Sequence, residues 1–571
     1  MSVTGGDLVA RTLRAFDVDV VFALHGGHLD ALLMGCKRAG IRLVDTRHEA
    51  AAVNAADGHG RTRGGLGVAF ATAGAGFSNA LAGLGPPHVD RTPVLLITSS
   101  PPLRDAETNS LQGFLDQMGM AAPLVKWAQR ITVVEEIPRL VGLAIRKALS
   151  GAPGPVVVEI PIDILFGATD ESHVEKGGAA RIALPPAPSQ QGITGALELL
   201  QEARRPVVIA GGGLRGTVPC APLVEFAELS GIPVFHPGMI MGAMPADHPL
   251  YGYAAPNLAT LIDEDAGPDL VVLLGTRFGF YLGGRGGSVV PLDTKVIEVD
   301  IDASEIGRLR PFDVGITADA TETLRALNVA GKAQEWPDWS EWAGLAAGTH
   351  RRAPAFAEEP LEVGGRMHPY HALREVLRSL EPDLNLVVDG GEIAAWVAMS
   401  LYEAHPHRVM GCGYLGYLGI TPGLAIGAAL AELERPVVLL IGDGGMGFHI
   451  QEFDTMVRHK LNITTIVVNN VGWAMSFHGQ DILFGEDGEI ISRLADTDYE
   501  RVAAGFGAHG ERVSNFEDVG LAVKRALDHD GPSCINLAVS GDVVHPVTPG
   551  MLGKSGTADG TVLPYYDNLE E

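Results

Sequence analysis

Two short polar motifs follow apolar runs in the C-terminal third of the chain, and their residue types could hold a metal ion and a phosphate group. The run "PVVLLIGDGG" places Asp443 between two glycines, and "ITTIVVNN" ends in Asn469 and Asn470. Because parallel strands joined by helices end at the same edge of a sheet, we expect these side chains to share one crevice. Oxygen ligands of this kind suit Mg²⁺ beside a diphosphate. The sequence therefore predicts a metal and diphosphate site.

The composition fits a large acidic enzyme. The chain has 571 residues, of which 46% are hydrophobic and 19% charged, and this length usually requires several domains. Forty-two basic and 69 acidic residues give a net charge of -27, which argues against binding to nucleic acid or to an anionic membrane. The four cysteines show no CxxC spacing, and no apolar run reaches the length of a membrane span. We expect a cytoplasmic protein with reduced thiols.

Short β-branched runs alternate with helix-length segments along the whole chain. Examples are "VDVVFAL" and "TPVLLITS" in the first part, "RPVVIAGGG" and "DLVVLLGTR" in the middle, and "LNLVVDGG" near the end. This alternation predicts an α/β fold with three doubly wound, mostly parallel-sheet domains. Polar segments rich in glycine and proline separate the three sets. We place the domains at residues 1–183, 190–345 and 366–545, followed by a C-terminal segment at 546–571.

The Gly-Asp-Gly motif, 24 intervening residues and the Asn-Asn pair resemble the cofactor motif of thiamine-diphosphate enzymes. The order of the three domains is similar to that of the acetohydroxyacid synthase and pyruvate decarboxylase group. The resemblance implies thiamine diphosphate and Mg²⁺ as cofactors, with Asp443, Asn470 and the backbone oxygen of Gly472 as metal ligands. It also implies cofactor contacts from Gly391, Gly416, Gly442 and Gly444, and a supporting side chain, Leu418, beneath the bent cofactor.

The same family requires a glutamate from the first domain, and "DTRHEAAAV" supplies Glu49 in a matching context. A carboxylate hydrogen-bonded to the aminopyrimidine favours the imino tautomer, whose nitrogen removes the thiazolium proton, while the protein supplies orientation. The alternative is an ordinary carboxylate at a helix N-terminus. In the family this glutamate meets the metal site across a subunit interface. The resemblance therefore implies a homo-oligomer, a dimer or a dimer of dimers.

Polar residues of the first domain indicate the type of reaction. "FALHGGHLDALL" places His25 and His28 at the end of a strand, and "NSLQGFLDQMGMAAP" places Gln112 on a loop. These segments resemble benzaldehyde lyase most closely. Histidine can accept a proton near neutral pH, which suits deprotonation of a substrate hydroxyl as the adjacent carbon-carbon bond breaks. The three residues are predicted to be catalytic.

Two features differ from benzaldehyde lyase. Ile162, Ala394 and Gly479 stand where that enzyme has bulky aromatic side chains, so we expect a wider or longer pocket. The segment "HPVTPGMLGKSGTADGTVLPYYDNLEE" resembles the closing segment of oxalyl-CoA decarboxylase and 2-hydroxyacyl-CoA lyase. We predict that it forms a lid carrying Tyr565 and Tyr566, which would exclude water from a reactive intermediate.

The middle domain carries a nucleotide-like pattern. "VVIAGGGLRG" is a strand followed by a glycine turn, and "VIEVDIDASEIG" ends a strand in acidic residues. Arg215, Arg277 and Asp300, the last as a ribose partner, resemble the nucleotide sites of the family. The ligand could be ADP, the adenine end of coenzyme A, or FAD in a vestigial site.

These patterns favour a thiamine-diphosphate-dependent carbon-carbon lyase that cleaves 2-hydroxyacyl-CoA to formyl-CoA and an aldehyde or ketone, with carboligation as the reverse reaction. The alternative is a benzaldehyde lyase-like enzyme that cleaves and forms free acyloins or benzoins. A flavin-dependent oxidase and a non-catalytic thiamine-binding scaffold remain open as other classes. A scaffold would be expected to lack Glu49.

Overall fold

The structure is a computed structural model that describes residues 2–105, 108–174, 180–216, 218–238, 241–485 and 488–552. The strands of these residues form three six-stranded sheets and two short two-stranded ribbons. Each six-stranded sheet is parallel throughout and belongs to one part of the chain. Across the described ranges, no helix has both the length and the apolar character that a membrane span requires.

The first domain contains the first six-stranded sheet. Its strands are β1 (Ser2–Thr4), β2 (Val20–Ala23), β3 (Arg42–Asp45), β4 (Gly67–Ala71), β5 (Val94–Ser100), β6 (Trp127–Arg130), β7 (Val156–Pro161) and β8 (Ala168–Asp170). Its helices are α1 (Gly5–Ala15), α2 (Asp30–Arg38), α3 (Glu49–Arg63), α4 (Ala75–Val89), α5 (Gln117–Ala121), α6 (Ile137–Leu149) and α7 (Ile162–Phe166). The strand order is β3-β2-β4-β5-β7-β6, and β1 pairs with β8 separately.

The middle domain contains the second sheet. Its strands are β9 (Pro206–Ala210), β10 (Val234–His236), β11 (Tyr251–Ala254), β12 (Leu270–Leu274), β13 (Lys295–Asp300) and β14 (Val314–Thr317). Its helices are α8 (Gln190–Glu202), α9 (Ala221–Ser230), α10 (Ala259–Ile262), α11 (Ala320–Gly331) and α12 (Ser340–Ala347). The order β11-β10-β9-β12-β13-β14 is the arrangement of dinucleotide-binding sheets.

The last domain contains the third sheet. Its strands are β15 (Glu362–Val363), β16 (Arg366–Met367), β17 (Asn385–Val388), β18 (Arg408–Gly411), β19 (Val437–Gly442), β20 (Ile463–Asn469), β21 (His509–Val513) and β22 (Ser533–Ala538). Its helices are α13 (Pro369–Arg378), α14 (Glu392–Ser400), α15 (Thr421–Ala431), α16 (Asp443–His449), α17 (Glu452–Arg458), α18 (Ala474–Phe484), α19 (Tyr499–Phe506), α20 (Val519–Leu527) and α21 (Val547–Met551). The order β18-β17-β19-β20-β22-β21 repeats that of the first sheet.

Two small-residue helices join the first and last domains. In α15, residues 421–430 are buried, and α3 faces this helix with alanines and glycines. A Cβ on Gly427 would lie 2.1 Å from the carbonyl oxygen of Ala55, and one on Gly58 would lie 2.3 Å from that of Leu424. The two backbones therefore touch, and the two sheets are held in a fixed relation.

The three parallel α/β domains confirm the predicted fold class. The central strands are buried on both faces, as β20 shows along its full length, which explains their nearly continuous apolar sequences. The domain boundaries stay a prediction. Residues 547–551 of the predicted lid form the packed helix α21, in which Thr548 is buried, while Tyr565 and Tyr566 lie outside the described residues.

Candidate cofactor and substrate site

Asp443 lies at the carboxyl edge of the last sheet, as the first residue of α16 directly after β19. It is 1% exposed, and its Oδ2 accepts a hydrogen bond from the backbone nitrogen of Gly472 at 2.9 Å. Its carbonyl oxygen accepts a hydrogen bond from the Tyr499 hydroxyl at 2.9 Å. Burial raises the pKa of the Asp443 carboxyl to about 7. A cation at this position would compensate the buried negative charge.

Asn470 places its amide against two other oxygen atoms. When this amide is oriented to satisfy both neighbours, its nitrogen donates to Asp443 Oδ1 at 3.3 Å and to the carbonyl oxygen of Gly472 at 2.8 Å. With the amide turned over, its oxygen would take the same place, close to the spacing of about 3 Å between neighbouring oxygens around octahedral Mg²⁺, from metal to oxygen distances of about 2.1 Å. The three oxygens therefore fit Mg²⁺, although the described residues contain no cluster of three His, Cys, Asp or Glu side chains suited to a metal.

Asn469 shapes the loop that carries this ligand set. Its Nδ2 donates to Asp496 Oδ1 and Asn536 Oδ1, each at 3.1 Å, and its Oδ1 accepts from the backbone nitrogen of Val471 at 3.2 Å. Val471 has a φ of 64°, a strained left-handed conformation for a β-branched residue. The structure thus separates the amide pair, because Asn469 holds the turn and Asn470 faces Asp443 and the carbonyl oxygen of Gly472.

The predicted cofactor glycines fall into two groups. Gly391 and Gly416 have left-handed φ values of 77° and 62°, and a Cβ on either would meet no atom within 4 Å. That open space fits the close approach of a ligand to the backbone. In contrast, a Cβ on Gly442 would lie 2.7 Å from Ile393 Cδ1, and one on Gly444 would lie 2.6 Å from the Trp473 ring. The second pair serves packing of the turn.

Glu49 lies at the carboxyl edge of the first sheet, where it begins α3. The preceding residue, His48, caps the helix by accepting a hydrogen bond from the backbone nitrogen of Ala50 at 3.1 Å. Glu49 is buried, and its Oε2 accepts a hydrogen bond from Asn79 Nδ2 at 3.0 Å. This bond lies within the first domain, so the structure does not pair Glu49 with the Asp443 site.

His28 and Gln112 meet at the same sheet edge. Burial lowers the pKa of His28, and a hydrogen bond with the Gln112 side chain partly opposes this effect. Gln112 has a φ of 63° and lies beside Gly74, whose Cβ would be 2.9 Å from the Gln112 carbonyl oxygen. His25 is exposed and instead lies 3.0 Å from Asp30 Oδ1. The structure therefore brings His28 and Gln112 together and leaves His25 outside this pair.

Gln117 is a buried residue that the sequence pattern did not single out. Its Oε1 accepts a hydrogen bond from the backbone nitrogen of Gly74 at 2.9 Å. Its Nε2 donates to Ser99 O at 2.9 Å and to Glu159 Oε2 at 3.1 Å. It thereby fixes the glycine loop beside Gln112. Gln112 lies in the loop before α5 and Gln117 is the first residue of that helix, and no local sequence signal distinguishes the buried one.

A buried ion pair, Glu392 with His478, lies beside the predicted pocket. His478 Nδ1 is 2.8 Å from Glu392 Oε1 and its Nε2 is 2.9 Å from the Gly541 carbonyl oxygen. Both partners only accept hydrogen bonds, so the imidazole carries two protons. Burial opposes this charge, but the hydrogen bond and the negative charge of Glu392, together with the bond to Gly541, outweigh it and raise the pKa of His478. Thr548 of α21 adds a hydrogen bond of 2.6 Å to the same carboxylate.

Three predicted pocket residues, Ile162, Ala394 and Gly479, are those at which the sequence differs from benzaldehyde lyase. They lie on the first and last domains. Ala394 lies two residues after Glu392 on α14, and Gly479 is the residue directly after His478 on α18. A Cβ on Gly479 would meet no atom within 4 Å, so this position borders open space. Ile162 begins α7 at the edge of the first sheet.

The three middle-domain residues contact the end of α4 and the residue after its cap. Arg215 donates to the carbonyl oxygen of Asp90 at 2.9 Å, and Arg277 donates to that of Val89 at 2.9 Å. Asp300 accepts a hydrogen bond from Arg91 at 3.3 Å. In this arrangement the Asp300 carboxylate is engaged by protein, so a role toward a nucleotide stays a prediction.

Comparisons with known proteins agree with this arrangement. Residues 3–120 match the N-terminal TPP binding domain of thiamine pyrophosphate enzymes, residues 193–327 the central domain and residues 389–537 the C-terminal TPP binding domain.

Two groups of whole-length relatives are similar to the chain. The acetolactate synthase large subunit IlvG of Mycobacterium tuberculosis is 32% identical over 95% of this chain and 96% of its own length. The 2-hydroxyacyl-CoA lyase 2 of Homo sapiens is 31% identical over 98% of this chain and 91% of its own length, and that of Caenorhabditis elegans is 32% identical over 92% and 87%. The chain therefore belongs to the thiamine pyrophosphate enzyme family, whose TPP-binding domains imply thiamine diphosphate as its cofactor.

Proposed function

We propose that the protein is a carbon-carbon lyase that cleaves 2-hydroxyacyl-CoA thioesters to formyl-CoA and an aldehyde or ketone. The observation that supports this most is the proximity of the His28 and Gln112 side chains at the sheet edge that also holds Glu49. Since burial lowers the pKa of His28, its imidazole is neutral near pH 7 and can accept the proton of a 2-hydroxyl group. Loss of that proton accompanies cleavage of the neighbouring carbon-carbon bond.

Bound thiamine diphosphate supplies a nucleophilic carbon and an electron sink. The chain contributes the binding and proton-transfer groups. Asp443, Asn470 and the carbonyl oxygen of Gly472 would hold Mg²⁺ against the diphosphate, and Glu49 would bind the aminopyrimidine. His28 would accept the substrate proton while the Gln112 amide orients its ring. Open space beside Gly391 and Gly416 leaves room for the cofactor against the backbone.

The thioester substrate is supported by relatives and by pocket shape. Relatives from several animals carry the name 2-hydroxyacyl-CoA lyase 2. Ala394 is small, and Gly479 borders open space, so an extended substrate could pass between α14 and α18. The same groups would act on a free acyloin, which keeps a benzoin- or acyloin-type lyase as the alternative. Acetolactate formation is a further candidate, because IlvG has the same level of identity.

One experiment separates these reactions. The purified protein with thiamine diphosphate and Mg²⁺ is incubated with 2-hydroxyacyl-CoA thioesters, with free acyloins and benzoin, and with pyruvate. We expect formyl-CoA and a matching carbonyl product from the thioesters. Acetolactate from pyruvate without formyl-CoA would establish the synthase instead, and cleavage of acyloins alone would establish the alternative lyase. The Glu49→Gln variant serves as the inactive control.

We also propose a homo-oligomer in which the first-domain edge of one subunit faces the last-domain edge of its partner. Phe114, beside Gln112, is 78% exposed, and Ile491, near the end of the Gly479 helix, is 95% exposed. These large apolar side chains are exposed beside the two half-sites, which are the Glu49 edge of the first sheet and the Asp443 edge of the last sheet. Such exposure is typical of a contact surface. Sedimentation velocity should show a dimer or tetramer, and Phe114→Ser should weaken it. A fully active monomer would contradict this assembly.

A further inference from the structure

Three consecutive residues at the end of α4 contact all three domains. Val89 and Asp90 offer their carbonyl oxygens to Arg277 and Arg215 of the middle domain. Arg91 pairs with a group of middle-domain acids, namely Asp300 at 3.3 Å, Asp302 at 3.1 Å and Glu305 at 2.8 Å. The middle domain therefore fixes the main chain on both sides of the Asp90 side chain.

The carboxylate of Asp90 is buried and connects the first domain to the last. Its Oδ2 accepts a hydrogen bond from Arg61 at 3.0 Å, and its Oδ1 accepts one from the backbone nitrogen of Tyr414 at 3.1 Å. Arg61 is itself held by a two-pronged contact to Asp57, at 2.7 and 2.9 Å. Charge-assisted bonds with two-pronged geometry define position closely. Asp90 thus holds a carboxylate oxygen in a fixed position, where it accepts a hydrogen bond from the backbone of the loop that contains Tyr414.

That loop, residues 413–419, carries Gly416 and Leu418. Gly413 has a φ of 67°, and a Cβ there would lie 1.9 Å from Asp90 Oδ2, so only glycine permits this approach. At the other end, Asp389 accepts hydrogen bonds from the backbone nitrogen of Gly419 at 2.8 Å and from the Thr421 hydroxyl at 3.0 Å. Two buried carboxylates from different domains therefore hold the two ends of one loop.

We propose that Asp90 is a positioning residue of the cofactor site, which sets the loop of residues 413–419 and with it the position of Leu418. The middle-domain arginines Arg215 and Arg277 contribute to the same task by holding the main chain of residues 89 and 90. Their role is then mechanical, since they transmit the position of the middle domain to the cofactor loop. This inference rests on the proposed cofactor chemistry of Glu49 and Leu418, and it adds a residue from outside the family motif.

The test measures how fast the C2 proton of bound thiamine diphosphate exchanges with deuterium, because this rate depends on cofactor geometry and requires no substrate. At saturating cofactor and Mg²⁺, Asp90→Ala should slow the exchange by about 10- to 100-fold, as expected for supporting residues around a bound group. Cofactor affinity should change by less than about threefold, since Asp443 and Asn470 are untouched. Asp90→Asn, which keeps one oxygen acceptor, should give an intermediate rate.

Glycine variants provide a matched control that avoids removing a buried charge. Gly413→Ala should slow exchange as Asp90→Ala does, because its Cβ displaces the loop from Asp90. Gly40→Ala introduces the same left-handed strain, at a φ of 71°, where a Cβ meets no atom within 4 Å, and it should exchange at the native rate. If Asp90→Ala does not fold, the glycine pair decides the question alone.

Two results would overturn the inference. One is native exchange in folded Asp90→Ala or in Gly413→Ala, and the other is equal slowing in Gly40→Ala and Gly413→Ala. Glu49→Gln distinguishes this failure from a failure of the proposed function. If Glu49→Gln slows exchange and Gly413→Ala does not, only the role of Asp90 is wrong. If Glu49→Gln also exchanges at the native rate, the assigned cofactor activation is wrong.

Discussion

The first and last domains have six-stranded parallel sheets with the same strand order, yet their carboxyl edges are chemically different. At the last sheet, acceptor oxygens of Asp443, Asn470 and Gly472 converge from two neighbouring strand ends. At the first sheet, Glu49, His28 and Gln112 come from three separate segments of the chain. In the proposed mechanism, one edge would hold a cation and a diphosphate, and the other would present groups that move protons. A shared topology thus supplies two half-sites with complementary tasks.

Burial has the same physical effect at both edges, because it favours the neutral form of each titratable group. It raises the pKa of Asp443 to about 7 and lowers the pKa of His28. At the last sheet, a metal ion would restore the charged carboxylate. At the first sheet, the neutral imidazole is itself the useful form, since it can accept a proton. The two edges therefore use desolvation in opposite ways.

The most complete loss is expected at the holding edge, the carboxyl edge of the last sheet with Asp443, Asn470 and Gly472, because a variant that binds neither metal nor cofactor cannot turn over. Asp443→Ala should weaken Mg²⁺ and thiamine diphosphate binding together by more than about 100-fold, beyond the loss typical of supporting residues. Isothermal titration with each component measures this directly. Unchanged affinity for both would show that this edge does not hold the metal.

The carboxyl edge of the first sheet, with Glu49, His28 and Gln112, is called the reacting edge. A change there should affect turnover much more than cofactor binding. Glu49→Gln should lower turnover by about 10² to 10⁴-fold, the range of proton-transfer contributions, while cofactor binding stays close to native. Steady-state kinetics and cofactor titration on the same preparation provide the comparison. If Glu49→Gln lost the cofactor as Asp443→Ala does, the division of tasks between the edges would be wrong.

The pair formed by His28 and Gln112 should control the acid side of the pH profile. Activity should fall as His28 gains a proton, at a pH below the ordinary histidine pKa of about 6.5, because burial lowers this pKa. Gln112→Leu removes the bond that raises the pKa, so the acid limb should move to still lower pH and turnover should fall about tenfold. Replacing His28 by Asn should cost more than the same change at His25. Equal losses would contradict the grouping seen in the structure.

The buried pair of Glu392 and His478 should stabilise the last domain in a pH-dependent way. The folded pKa of His478 is raised, so the stabilisation is complete below about pH 6.5, the ordinary histidine value, and is lost as pH rises through the folded pKa. Glu392→Gln should destabilise by up to about 3–5 kcal/mol at pH 6 and less at pH 9. Thermal unfolding of the apoprotein at both pH values measures this difference.

An exposed pair supplies the control for that measurement. Arg501 pairs with Asp498 at 3.3 Å on the surface, where its side chain is 80% exposed. Arg501→Gln should change stability by less than about 1 kcal/mol at either pH. A Glu392→Gln effect that is equal at pH 6 and pH 9 would show that the pair is not charged as described.

The smallest expected effect concerns substrate size. Gly479→Phe should reduce cleavage of an extended thioester by about tenfold more than cleavage of a small acyloin, a factor typical of steric discrimination. The ratio of kcat/KM values for the two substrates gives the answer. Equal losses on both would mean that the open space beside Gly479 does not accommodate the longer substrate.

That Asp443, Asn470 and Gly472 lie together could be predicted from sequence, because they belong to contiguous motifs at the ends of neighbouring parallel strands; their role as metal ligands stays a prediction. The reacting edge was predictable only in part. His25 and His28 look equivalent in sequence, yet only His28 contacts Gln112. Pairs such as Glu392 and His478, 86 residues apart, have no local signature. Domain packing determines the contacts of Arg215, Arg277 and Asp300. The alternation of strand and helix patterns in the sequence does not indicate how the domains pack.

The hydrogen bond from Thr548 to Glu392 has a consequence for synthesis of the chain on the ribosome. The two residues are 156 positions apart, so at about 5–20 residues per second the donor is made about 8–31 s after the acceptor. During this interval Glu392 can pair with His478 once α18 has emerged, but its second partner, Thr548, is still missing. The last domain therefore completes its polar interior only when α21 arrives, and a slow codon run before Thr548 would prolong the stage in which α14 is accessible to chaperones and proteases.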